Sequence, residues 1–71
     1  MNNTKTREAR IKKGITKGMA ADKLHISLKG LYNYEHGKPI PSDVLINMSR
    51  LYECTTDYLL GINNYNIITA L

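Results

Sequence analysis

The chain has 71 residues, enough for one domain whose small core needs well-packed helices or a paired second chain. A single cysteine excludes an intrachain disulfide, and no stretch reaches the roughly 18 apolar residues of a membrane span, so we expect a cytoplasmic protein. The net charge of +4 is uneven: residues 1–38 carry +6 and residues 39–71 carry −2, which indicates a polyanionic partner on one side.

Helical signals follow one another along the chain, separated by glycine and proline at Gly14, at residues 37–41 and at Gly61. The first predicted helix covers residues 4–13 and ends before Gly14. The later helices are each predicted to begin at a capping residue: Thr16 before 17–24, Ser27 before 28–34, Ser42 for a helix to about Tyr52, and Thr55 before 56–60.

These signals predict five short helices and no strand, which is an all-α fold. Residues 1–61 form the predicted domain, and residues 62–71 form a tail without a clear period. So small a bundle uses most of its aliphatic residues as core. The predicted core is Ile11, Ile15, Ala20, Ala21, Leu24, Ile26, Leu31, Tyr34, Val44, Leu45, Met48, Leu51, Cys54, Tyr58 and Leu59.

Residues 16–35 carry the functional signal, because two capped helices meet there across a short turn. Ala21 is small where the two helices would cross. Leu24, Ile26 and Leu31 stand where a buried wedge is needed between them. Such a unit presents the amino-terminal part of its second helix to the major groove of DNA.

The order T-x-x-x-x-A-D-K-L-x-I-S-x-x-x-L-x-x-Y-E-x-G-K-x-x-P resembles the Cro/cI-type, or XRE, helix-turn-helix of lambdoid phage repressors. The resemblance covers residues 4–60, and L-Y-E-C-T-T-D-Y-L-L is similar to the last helix of that family. It implies a compact five-helix, lambda-repressor-like bundle with the helix-turn-helix in helices 2 and 3.

The sequence departs from the family pattern at several glycine positions. His25 and Glu53 stand where glycine is common, and His25 falls in a turn that favours positive φ, a conformation that histidine tolerates at some strain. Gly18 and Gly30 lie inside helices, where glycine costs up to about 1 kcal/mol. We therefore expect a modestly stable domain.

The resemblance and the residue chemistry together indicate a set of DNA-binding residues. The set is Thr16, Lys17, Ser27, Leu28, Lys29, Tyr32, Asn33, His36 and Lys38. Lys29 can donate to guanine O6 and N7, Asn33 can pair with adenine N6 and N7, and Leu28 can contact a thymine methyl group. Lys17 and Lys38 suit phosphates, aided by backbone N–H groups at the start of helix 2.

Other polar residues are expected to be structural. Arg10 and Glu35 match a pair that, in many members of the family, forms an internal salt bridge between helix 1 and the end of helix 3. His25, His36 and Cys54 lack the spacing of metal ligands. Nothing resembles a catalytic triad or a phosphate-binding fingerprint, so we expect no enzyme activity, cofactor or small-molecule substrate.

We therefore predict sequence-specific binding of double-stranded DNA by a small transcriptional regulator. The resemblance implies a homodimer that binds a palindromic operator and represses transcription. Because the short chain shows no sensor domain or cleavage linker, we expect a Cro-type switch protein or a small regulator from a phage or other mobile element. The alternative is a protein-interaction module such as an antitoxin or adaptor, favoured by Leu28 and the apolar tail. RNA binding is a weaker third hypothesis. The tail can either pack on its own domain or form a dimer seam.

Overall fold

Five helices make up the computed structural model, which describes residues 5–62. They are α1 (Thr6–Lys13), α2 (Lys17–Leu24), α3 (Leu28–Glu35), α4 (Ser42–Tyr52) and α5 (Thr56–Leu59). No strand occurs in this part of the chain, and the all-α prediction is confirmed. The two roles predicted for the tail fall on residues 63–71, outside the described range, apart from Ile62.

Three of the four predicted N-caps are confirmed. The side-chain oxygens of Thr16, Ser27 and Thr55 each accept a hydrogen bond from the backbone N–H three residues later, at 3.2, 2.9 and 3.1 Å. The prediction for Ser42 is wrong, because Ser42 is the first residue of α4 and makes no capping bond. Pro41 takes the cap position instead, with an extended ψ of 149° and no side-chain capping bond.

Two helices end on residues in the left-handed conformation that are not glycine. His25 (φ 59°) follows α2 and Glu53 (φ 56°) follows α4, the positions where the sequence lacks the usual glycine. Gly14 (φ 80°) ends α1 in the same way. The positive φ expected at His25 is therefore present, and it lets the backbone turn sharply between α2 and α3.

The core lies where α2 meets α3 and α4, with α1 packed across α3 and α4. Its buried apolar residues are Ala9, Ala20, Ala21, Leu24, Leu31, Met48, Tyr52 and Leu59. Most of the other predicted core residues are half-buried around this centre. A backbone hydrogen bond of 2.7 Å from the Lys5 N–H to the Leu59 carbonyl oxygen joins the two ends of the described chain.

Two predicted core residues are exposed. Ile11 is 51% exposed because the inward face of α1 is formed by Thr6, Ala9 and Arg10, at three- and four-residue spacing, and Ile11 points away from it. Tyr58 is also exposed, since the single turn of α5 places Leu59 inward. The core prediction was wrong at these two positions.

Candidate nucleic-acid interface

The outer face of α3 is held in place by a buried inner face. Ala21, Leu24 and Leu31 are buried between α2 and α3, and Ile26 in the turn is half-buried against them. Ser27 caps the start of α3, so the helix begins at a defined residue. The packed inner side of α3 therefore holds its first turn in place at the surface, which is the geometry that a groove-binding helix needs.

Eight of the nine predicted DNA-binding residues are exposed, and Asn33 is half-buried. They occupy the start of α2, the start and outer face of α3, and the turn that follows α3. Thr16 and Ser27 use their side-chain oxygens as helix caps. Each hydroxyl still carries a proton that can be donated to a phosphate oxygen.

The turn after α3 is fixed to the helix by one carbonyl group. The backbone oxygen of Asn33 accepts hydrogen bonds from the N–H groups of His36 (3.1 Å) and Lys38 (3.0 Å). The backbone positions of His36 and Lys38 are thus set by the end of α3.

An aromatic stack lies on the outer face of α3, and the sequence analysis did not predict it. The rings of Tyr32 and His36 lie 3.9 Å apart between centroids with an interplanar angle of 22°. His36 Nδ1 lies 2.7 Å from the carbonyl oxygen of Tyr32, a hydrogen bond when Nδ1 carries the proton. The four-residue spacing was the signal available in the sequence, since residues so spaced are neighbours on a helix.

A buried ion pair fixes the far end of α3. Arg10 Nε donates to Glu35 Oε2 at 2.7 Å, and a second Arg10 nitrogen lies 3.4 Å from Oε1. Arg10 also donates to the Ile15 carbonyl at 3.0 Å. The side chains are only 7% and 0% exposed, so the pair joins α1 to the end of α3 inside the molecule.

Two buried hydroxyl groups lie away from this face. The oxygens of Thr6 and Tyr52 are buried and have no hydrogen-bond partner within residues 5–62. Burial, with a smaller effect from Glu35, raises the pKa of Tyr52 from 10.0 to about 12. Burial also raises the pKa of the Cys54 thiol, which disfavours the thiolate that a nucleophile requires. These groups are part of the packing.

A shallow cleft lies on another side of the molecule, where α1 meets the end of α4 and α5. Its walls include Lys12, Lys13, Tyr52 and Tyr58, and none of the predicted DNA-binding residues. Over the described residues, no three His, Cys, Asp or Glu side chains are grouped to hold a metal ion. Among residues 5–62, no helix is long and apolar enough to cross a membrane.

Comparison with known proteins gives two matches. The helix-turn-helix family model matches residues 7–59. The HTH-type transcriptional regulator ImmR of Bacillus subtilis (strain 168) is 48% identical over 56 residues, which cover 78% of this chain and 44% of that protein. The chain thus spans less than half the length of this relative. No solved structure matches the 71-residue chain.

Proposed function

Because this chain belongs to the helix-turn-helix family, we propose that it binds double-stranded DNA with α3 in the major groove and regulates transcription. The observation that carries the proposal is that α3 exposes side chains on one side while its other side packs into the core. Leu28, at the start of the helix, is 58% exposed, while Leu31, three residues later, is fully buried. Such a helix offers side chains to base edges without unfolding any part of the core.

The side chains along α3 divide between base and backbone contacts. Lys29 is exposed on the first turn and suits guanine, whereas Asn33 lies one turn later and suits adenine. Lys17, at the start of α2, and Lys38, in the turn after α3, flank them and suit phosphates. His36 is two residues before Lys38, and we propose that it approaches the same DNA strand as Lys38.

The charge of this region supports a polyanionic partner. Residues 16–38 contain four lysines against Asp22 and Glu35, and the Glu35 carboxylate pairs with Arg10 inside the molecule. The lysines are all exposed. Each one that neutralises a phosphate releases counterions, so affinity must fall steeply with salt.

We further propose that the chain acts as a homodimer, because one small domain contacts only a few base pairs. Two copies related by a two-fold axis would occupy a palindromic operator with half-site centres about 34 Å apart. Occupation of a promoter would repress transcription by exclusion and needs no catalytic step or cofactor. A DNA partner requires the compartment that holds DNA, which in a bacterium is the cytoplasm.

Selection of duplexes from a randomised library tests this function directly. We expect the 71-residue chain to enrich a two-fold symmetric site after several rounds. Titration of the selected duplex at 50 and 200 mM salt should show a loss of affinity of at least about 10-fold, as expected when several phosphates are neutralised.

Failure to enrich any sequence would overturn the proposal. Salt-sensitive binding to all duplexes alike would leave only non-specific attachment. Capture of a stoichiometric protein partner without any DNA shift would favour the interaction module, for which the exposed Leu28 is the supporting observation.

A further inference from the structure

Two large apolar side chains stand on the outer face of α3 where a solvated helix would carry polar groups. Leu28 is 58% exposed and Tyr32 is 51% exposed. They are four residues apart and therefore lie one above the other on one face of the helix. Lys29 and Asn33 occupy the adjacent positions. The result is an apolar row, Leu28–Tyr32, beside a polar row, Lys29–Asn33.

The Tyr32 ring has a partner on the surface of the molecule. One face of the ring is stacked on His36, with 3.9 Å between ring centroids. The His36 ring is held by the Tyr32 carbonyl, at 2.7 Å from Nδ1. The Tyr32 ring of the row is thus positioned before any partner binds, which lowers the entropy cost of its contact.

We propose that the Leu28–Tyr32 row recognises the C5 methyl groups of thymine, so that the operator half-site contains thymine next to the bases bound by Lys29 and Asn33. This inference rests on the proposed function. Among the natural base pairs, the thymine methyl is the one apolar group that projects into the major groove. A protein partner would also bury Leu28. The exposed lysines of the helix-turn-helix and of the turn after it, Lys17, Lys29 and Lys38, favour a polyanion that offers methyl groups.

Replacement of thymine by uracil tests the inference, because it removes only the methyl group. Each thymine of the selected half-site is replaced in turn, and the dissociation constant is measured. We expect a loss of about 3- to 5-fold at one or two thymines, the effect of one buried methyl group. In the Leu28→Ala or Tyr32→Ala variant, the corresponding replacement should cause no further loss.

Ile46→Ala is the matched control. Ile46 is 45% exposed on α4, outside the apolar row, so this variant should keep the full thymine-to-uracil difference. His36→Ala tests the positioning of the Tyr32 ring. It should reduce the difference at the thymine assigned to Tyr32 and leave the difference assigned to Leu28.

The possible outcomes separate this inference from the proposed function. Tight, sequence-specific binding that is unchanged by uracil at every position would overturn the methyl contact and leave the function standing. An equal thymine-to-uracil difference in the parent chain and in both row variants would also overturn it. Absence of any specific duplex would remove both proposals.

Discussion

The Arg10–Glu35 pair places two opposite charges inside a small domain, where neither could remain alone. Its geometry satisfies both groups, since Glu35 accepts from two nitrogens of Arg10 and Arg10 also reaches the Ile15 carbonyl. Burial of one partner without the other leaves an uncompensated charge, which is far more costly than loss of the pair as a whole.

We therefore expect Arg10→Met to destabilise the domain by about 3–5 kcal/mol, while the double variant Arg10→Met, Glu35→Leu regains most of that loss. Urea unfolding followed by circular dichroism measures both. An Arg10→Met variant within about 1 kcal/mol of the parent chain would show that the pair is not the constraint that its burial indicates.

Lys29 and Asn33 carry the proposed base contacts, so their removal should change specificity as well as affinity. Lys29→Ala and Asn33→Ala should each weaken binding to the selected site by roughly 1–3 kcal/mol and relax the base preference at one position. Lys38→Ala should weaken binding to all sequences alike and reduce the salt dependence.

Arg50→Ala controls for the lost charge, since Arg50 is exposed on α4, away from α3. Unchanged operator binding by Lys29→Ala and Asn33→Ala would mean that another surface meets the DNA.

The helices themselves follow from local chemistry, and this is why their order and most of their caps could be predicted from the sequence. Thr16, Ser27 and Thr55 act within four residues, so their roles require no knowledge of the fold. The prediction of Ser42 as an N-cap was wrong because α4 begins one residue earlier than expected, so that Pro41 occupies the N-cap position. The prediction of Ile11 as a core residue was wrong because Arg10 is buried in an ion pair with Glu35, which is distant in the sequence. With Arg10 facing inward, Ile11 faces outward.

Parts of the candidate face were also predictable, but its apolar row was not recognised as a unit. The nine residues came from the family resemblance together with the chemistry of their side chains. The exposure of eight of them agrees with contact by a partner without testing it. The Tyr32–His36 stack depends on two side-chain rotamers and on a ring hydrogen bond. Sequence spacing permits such a stack but does not establish it.

The left-handed ends of α2 and α4 predict two stabilising changes. His25→Gly should raise stability by about 0.5–1 kcal/mol, since glycine adopts positive φ without the cost paid by other residues. Glu53→Gly should do the same, because the Lys13–Glu53 ion pair that it removes is exposed and contributes little. Thermal unfolding should show a rise of a few degrees in Tm.

Gly14→Ala provides the reverse control for this prediction. A Cβ at Gly14 would meet no atom within 4 Å, so only its φ of 80° would penalise alanine. Destabilisation at Gly14 together with no gain at His25 would show that contacts of the His25 side chain outweigh the backbone strain.

At the scale of the whole molecule, the buried Tyr52 hydroxyl makes stability depend on pH above the neutral range. Burial raises the pKa of Tyr52 to about 12, whereas the unfolded chain ionises this group near 10.0. The unfolded state therefore loses the proton first as the pH rises. The stabilisation is fully present below pH 10 and is lost as the pH rises to about 12.

Tyr52→Phe should remove this dependence and leave the domain as stable as the parent, or more so, at pH 7, since the buried hydroxyl has no partner within residues 5–62. Relative to this variant, the parent chain should lose roughly 1 kcal/mol by pH 11 and roughly 2 kcal/mol by pH 12. Urea unfolding at pH 9, 10, 11 and 12 measures the difference. Parallel stability curves for the two chains would contradict the prediction.

The hydrogen bond from the Lys5 N–H to the Leu59 carbonyl gives the domain a built-in reporter of its integrity. This amide precedes α1 and keeps its hydrogen bond only while residue 5 and α5 stay together. Its rate of hydrogen–deuterium exchange therefore measures how often α5 detaches. Exchange as slow as that of the Leu31 amide would mean that the domain opens as one unit, and faster exchange would mean that its closing helix opens by itself.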